Sequence, residues 1–426
     1  MTKTPDAPAQ PDSIDREGSH RWLLELTQLP TAAGREDRVI AWIERWVSER
    51  PSLEIARDGS GNLYIAPREG WGREDGGPLY VTAHLDHPAF VVEAIEGDEI
   101  NEAGREAILE FRGGVMDAYF EDARVELVRS DESRTPATLI RKLETPEAGA
   151  GESQKKAGFK RYRARLDDGE TTEGVSVGDV AIWAFPRAEI VDGLLHTNAC
   201  DDLAAVAAAF SALDATLRAH ERGDSVGEMR VLLTRAEEIG FVGAIGACRE
   251  GMIPSDARLI ALENSRSFAE SPIGGGPIVR VGDKVSVFDT ELTGAVAKRA
   301  EQLASSGQHE LNVDKTEAPK WKWQRKLMPG GACEASAFCT YGFSATCVCL
   351  PLGNYHNMGE LDKVQAGVGA DGSYDGTARV ERETIAIADY DGMVDLLLAC
   401  AVTLPAASAL RDRFEKLYGE RAYVLG

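Results

Sequence analysis

The spacing of apolar and polar positions changes several times along the 426-residue chain. Residues 22–29 and, more strongly, 35–49 carry apolar side chains at helical spacing; in the second stretch Val39, Ile40, Trp42, Ile43 and Trp46 share one face. Residues 53–56 and 62–66 read as strands around an Asp58-Gly59-Ser60-Gly61 turn. Residues 78–83 form a buried strand that runs directly into His84-Leu85-Asp86-His87. From 92 to 192 the texture shifts to short alternating stretches at 107–111, 124–128, 137–140, 162–166 and 180–183. Acidic and glycine-rich turns separate them, and 144–156 reads as an exposed loop. Beyond that point helical and strand patterns alternate. Helices are expected over 203–217, from 242, and over 291–305, 335–340, 390–402 and 410–418. Strands are expected over 229–234, 258–262, 279–288, 321–325 and 345–350. The predicted fold class is α/β: a mixed-sheet domain in two pieces, 21–91 and 193–426, with a small β-rich domain inserted at 92–192 and a disordered tail over 1–20.

Length alone calls for more than one compact domain. Apolar residues make up 43% of the chain and charged residues 27%, the balance of a globular protein. No run approaches the about 20 apolar residues of a membrane span. The first residues are polar, broken by Pro5, Pro8 and Pro11, and have no signal-peptide core. A formal charge of -23 repels nucleic acid and anionic membranes, so neither is expected as a partner. The seven cysteines show no CxxC pair, and several (Cys248, Cys347, Cys349, Cys400) sit in apolar runs as small hydrophobes. That usage predicts a reducing cytoplasm.

The chemistry gathers around Asn198-Ala199-Cys200-Asp201-Asp202, between a polar run and the apolar helix that opens at Leu203. Alone, an Asp at such a junction is an ordinary helix cap. Four apolar strands elsewhere, however, lead into His84, Glu238, Glu263 and His356. In an open α/β sheet, ligands collect beyond the carboxyl ends of the strands, so these residues have a reason to converge. Asp201 completes the set, because one carboxylate can bridge two ions. One metal would take His84, Asp201 and Glu263, and a second Asp201, Glu238 and His356. Three protein ligands each, with room for water, is the catalytic pattern. Two ions about 3.5–4 Å apart can share a hydroxide and polarise a carbonyl. Imidazole and carboxylate donors suit Zn, Co or Mn. Asp86, two residues after His84, is expected to hydrogen-bond the other imidazole nitrogen and fix its tautomer. Glu237, beside a ligand, is the expected general base. His87 is expected to serve the pocket without ligating.

Five stretches carry a resemblance: Ala83-His84-Leu85-Asp86, Ala199-Cys200-Asp201-Asp202, Glu237-Glu238-Ile239-Gly240, Gly330-Gly331-Ala332-Cys333-Glu334-Ala335 and His356-Asn357-Met358-Gly359-Glu360. Together they resemble the M42 metallo-aminopeptidases, the group of glutamyl and tetrahedral aminopeptidases. Spacing separates the relatives. His84 and Asp201 are 117 residues apart, and Glu263 and His356 are 93 apart. The M20 peptidases and deacylases place an extra domain in the second gap and the M28 aminopeptidases usually have none, whereas here the first gap holds it, as in M42. The resemblance implies a di-metal aminopeptidase catalytic domain that acts on short peptides, two divalent ions per chain and a homo-oligomer. It also implies that Glu237 serves the water and Glu238 the metal. Three departures stand out: His87 replaces the usual Glu, Leu203 replaces an Arg, and Cys333-Glu334 falls where Thr-Asp is usual. A non-peptidase amide hydrolase or a catalytically weak metal-binding relative is the alternative on the same scaffold.

Overall fold

The computed structural model describes residues 14–96, 106–144, 158–305, 321–367, 378–405 and 408–425. Two helices open it, α1 (Arg16–Leu26) and α2 (Asp37–Ser48), followed by β1 (Leu53–Arg57), β2 (Leu63–Pro67) and β3 (Leu79–His84). Six strands come next: β4 (Ala89–Glu96), β5 (Glu106–Arg112), β6 (Arg124–Val128), β7 (Arg134–Leu143), β8 (Lys160–Leu166) and β9 (Val180–Trp183). β10 (Glu189–Val191) and β11 (Leu194–Thr197) lead into α3 (Leu203–Glu221), β12 (Met229–Thr234), α4 (Val242–Glu250), β13 (Arg258–Arg266) and β14 (Ile278–Gly282). The rest is α5 (Thr290–Ser305), β15 (Gln324–Leu327), α6 (Glu334–Thr340), β16 (Ser344–Leu352), α7 (Leu361–Gly367), β17 (Glu383–Ala386), α8 (Ile387–Val402) and α9 (Ser408–Arg421).

The fold is mixed α/β. Eight strands form one sheet in the order β1-β2-β12-β3-β13-β16-β14-β15. Its centre, β12-β3-β13-β16, is parallel, so four carboxyl ends open on the same side. β3 and β12 are almost wholly buried, as continuous apolar strands of a covered parallel sheet must be. α3 is apolar nearly all round and is packed between the sheet and the helices α1 and α8. The six strands β4–β9 close into a barrel, order β4-β5-β8-β7-β6-β9, filled by Phe90, Phe111, Phe120, Tyr162 and Trp183. A third sheet, β10-β11-β17, joins two distant stretches of chain.

Two expectations change. α1 starts at Arg16, where the Asp15 side chain accepts Gly18 N–H at 2.9 Å, so the tail reading fails for the last part of 1–20. Residues 1–13 of that tail, and 145–156 of the expected exposed loop, lie outside the described residues. The strand expected over 279–288 stops at Gly282, because Asp283 Oδ1 accepts the N–H groups of Val285 and Ser286 and folds the chain back on itself.

Candidate metal centre

The five expected ligands meet at the carboxyl ends of the parallel strands. His84 ends β3, Glu263 lies late in β13, and Glu238 and His356 follow β12 and β16. Asp201 sits in the loop before α3, and its peptide bond to Asp202 is cis. Asp201 Oδ1 lies 3.4 Å from His84 Nε2, and its Oδ2 lies 3.4 Å from His356 Nε2. Glu238 Oε1 is 3.4 Å from the same His356 nitrogen. The potential ligand atoms of His84, Asp201 and Glu238 all lie within 4.8 Å of one another, as do those of His84, Glu237 and Glu263. Each imidazole is aimed by a backbone carbonyl. His84 Nδ1 donates to Asp86 O at 3.0 Å, and His356 Nδ1 donates to Gly114 O, next to the barrel strand β5, at 2.7 Å. The barrel therefore helps to place a ring of the site.

Three buried carboxylates that face no ligand atom hold the backbone around the centre. Asp86 accepts the N–H groups of Glu237 and Glu238 at 2.9 and 3.0 Å. Asp202 accepts His84 N–H at 3.2 Å and the Asn264 amide at 2.8 Å. Glu383 accepts the N–H groups of Cys200, Asp201 and His356 at 2.7, 3.0 and 2.9 Å. The expected role of Asp86 is thereby corrected. Its carboxylate is 3.6 Å from His84 Nδ1, beyond hydrogen-bond length, and both its oxygens are taken by the N–H groups of Glu237 and Glu238. The tautomer is set by its carbonyl, and its carboxylate aims the glutamate pair. That pair is not on a strand either: Ala236, at φ +54°, turns the chain between β12 and Glu237.

The donor set fits divalent cations. Asp201 Oδ1, Glu238 Oε1 and Glu263 Oε1 are buried acceptors without a hydrogen-bond partner, and buried acceptors are ordinarily paired. Burial pushes the carboxyls of Glu237 and Glu263 well up, and that of Glu238 to about 7, despite the opposing pull of the imidazoles. Burial disfavours charge on His356, but Glu238 and Asp201 raise it to about 9; Glu237 and Asp201 likewise raise His84. The carboxyls of Asp201, Glu237, Glu238 and Glu263 outnumber the imidazoles of His84 and His356, and nitrogen and carboxylate donors of this kind suit Zn, Co or Mn.

His87 contacts the centre without facing it: Nδ1 meets Asp201 O, and Nε2 lies 3.0 Å from Asn357 Oδ1. Burial pushes its pKa down to about 4. Glu334 is buried with Oε1 unpaired, pushed up to about 7 by burial while His84 and Thr234 pull it down. Glu360, read with the His356 motif, is exposed and pairs with Lys363. Sequence reasoning missed Glu383, Asn357 and Asn264; each acts on its neighbours through pairings that no local pattern announces. It also missed Tyr355, whose ring stacks on His356 at 3.7 Å, and Arg280. These last two line a cavity of about 150 Å³ beside Glu263, with Phe268, Met328 and Met358.

A sequence profile of the M42 glutamyl aminopeptidases matches residues 61–366. No curated protein matches the sequence. Solved structures share the fold. An aminopeptidase from the archaeon Desulfurococcus kamchatkensis is 16% identical with a TM-score of 0.64, covering 92% of this chain and 96% of that one. The Pyrococcus horikoshii TET1 peptidase, which can assemble into a tetrahedron or a large octahedral shell, is 20% identical with a TM-score of 0.62, over 90% and 99%. An endoglucanase from Thermotoga maritima is 18% identical with a TM-score of 0.56, over 89% and 96%. With the family profile spanning well over half of it, the chain belongs to the M42 glutamyl aminopeptidase family and is a metallo-aminopeptidase.

Proposed function

We propose that this enzyme uses two divalent ions to remove N-terminal residues, acidic ones above others, from short peptides. One observation carries the two-metal reading: the two oxygens of Asp201 face two different buried imidazoles at 3.4 Å each. His84, Asp201 and Glu263 would hold one ion, and Asp201, Glu238 and His356 the other. Such a pair of Zn, Co or Mn ions supplies Lewis acidity that polarises the scissile carbonyl and acidifies water. The chain's own residues do the rest. Glu237, buried and held by its backbone N–H on Asp86, takes the proton of the attacking water and returns it to the leaving amine. His84 and His356 keep Nε2 toward Asp201 because their Nδ1–H groups are engaged by carbonyls.

Arg280 supports the acidic preference. It is 2% exposed, lines the cavity beside Glu263, and gives Nη1 to Ser265 Oγ at 3.1 Å while Nε has no partner. Among the described residues it forms no ion pair. Glu263 and the thiols of Cys333, Cys347 and Cys349 favour its charge without forming an ion pair with it, and a side-chain carboxylate entering the cavity supplies a direct partner. Steady-state cleavage of glutamyl and leucyl anilides by the wild-type enzyme and Arg280→Met tests this. The glutamyl kcat/KM should fall at least tenfold while the leucyl value holds; equal losses on both would reject the assignment.

Assembly and location are read from more general features. The TET relatives form dodecamers and shells, which supports a homo-oligomer here. Among the described residues no helix is long and apolar enough to cross a membrane, and the seven cysteines are free. Together with the charge of -23, this favours a cytoplasmic enzyme that meets peptides rather than nucleic acid or lipid.

A further inference from the structure

We infer that Glu383 is a positioning residue for the second metal site: it fixes Asp201 and His356 relative to each other before any ion arrives. The inference rests on the two-metal reading. Glu383 lies outside the stretch that the family profile matches, and no sequence motif marks it. It opens β17, where it pairs with Thr197, the last residue of β11 and the start of the run to Asp201. Its neighbour Thr384 is bridged to Gly353, three residues before His356. One side chain therefore stands between the two loops that carry the second site.

Its carboxylate is fully buried, and both oxygens are engaged. Oε2 accepts Cys200 N–H at 2.7 Å and Asp201 N–H at 3.0 Å, and Oε1 accepts His356 N–H at 2.9 Å. The His356 loop needs such an anchor. Asn354, His356 and Asn357, three of four consecutive residues, take positive φ, at 52°, 54° and 62°, a conformation uncommon outside glycine. Only a carboxylate answers all three N–H donors. An amide in its place offers one oxygen and one NH₂, so whichever way it turns, a donor meets a donor on one of the two loops.

Two measurements test this. Calorimetric titration of metal-free wild type and Glu383→Gln with Zn should show the ion held by both Asp201 and His356 weakened about 10–100-fold and the other, which shares only Asp201, weakened clearly less, while the melting temperature of the metal-free protein changes little. Unaltered affinity for both ions would overturn the inference. So would equal weakening of both alongside a large fall in melting temperature, which marks a merely structural residue. The second measurement needs neither variant nor metal. Hydrogen exchange on the metal-free wild type should find the amides of Cys200, Asp201 and His356 protected. Exchange as fast as in an exposed loop would overturn the inference, whatever the metal stoichiometry proves to be.

Discussion

The carboxylate of Asp201 faces His356 Nε2 at 3.4 Å through Oδ2, which leaves Oδ1 for His84 on the other side at the same distance. A single residue thus belongs to both halves of the centre. Asp201→Ala should therefore lose both ions, not one, when metal content is measured after reconstitution and desalting. A variant that keeps two equivalents would remove Asp201 from the bridging position.

Asp86 bears on rate through the glutamate pair. Asp86→Asn would set an NH₂ group against the backbone N–H of Glu237 or Glu238, which now receive carboxylate oxygens at 2.9 and 3.0 Å. A fall of roughly 10–100-fold in kcat on an aminoacyl anilide, with little change in KM, is expected from a lost supporting interaction of this kind. Wild-type kcat in the variant would show that the two hydrogen bonds do not aim the base.

Glu237 and Glu238 differ in what faces them. Glu238 is 3.4 Å from the His356 ring, whereas Glu237 lies 3.9 Å from that of His84. Glu237→Gln is expected to keep both ions and lose about 10²–10⁴-fold in turnover, the usual cost of a missing general base. Glu238→Gln should lose metal from one site. If the metal loss followed Glu237→Gln instead, the two roles would exchange.

Away from the centre, Asp75 makes a prediction about stability. It joins Arg73 and Arg258 at 2.7 and 2.8 Å and accepts the Leu404 N–H, tying the start of β3 to β13 and the end of α8. Burial pushes its carboxyl up, but the two guanidinium groups and the backbone donor outweigh that and hold it below the usual range. A carboxylate whose folded pKa is depressed contributes stability above its unfolded pKa of about 4 and loses it as pH falls toward the folded value. Asp75→Asn should thus cost about 3 kcal/mol at pH 7, because Arg73 is left buried without its partner. The gap between the two proteins' melting curves should narrow below about pH 4. A gap independent of pH would show that the ion pairs are not its source.

How much of this the sequence carried depends on range. His84, Glu238, Glu263 and His356 were legible because each follows an apolar strand, and parallel strands bring their carboxyl ends together whatever lies between them. The β-rich insert was legible for a similar reason, since its alternation of apolar and polar residues contrasts with the continuous apolar runs of the main sheet; its closure into a barrel was not. Glu383 was not legible. Its place depends on β17 pairing with β11 across nearly 190 residues. Asp86 was found but misread, because spacing along β3 cannot show that its carboxylate is claimed by the backbone N–H groups of Glu237 and Glu238 on the loop after β12. Arg280 looks on paper like one more charge on a strand. Only the fold shows it buried, paired in register with Cys347 and opening onto the cavity.

The central claim, catalysis by two ions on one bridging carboxylate, meets its most direct test in a titration. Metal-free enzyme would receive Zn, Co or Mn in steps while release of a chromogenic amine from an aminoacyl anilide is followed. The account predicts no turnover without metal and a rate that climbs to its plateau at about two equivalents per chain. A plateau at one equivalent, or full turnover by the metal-free protein, would contradict it.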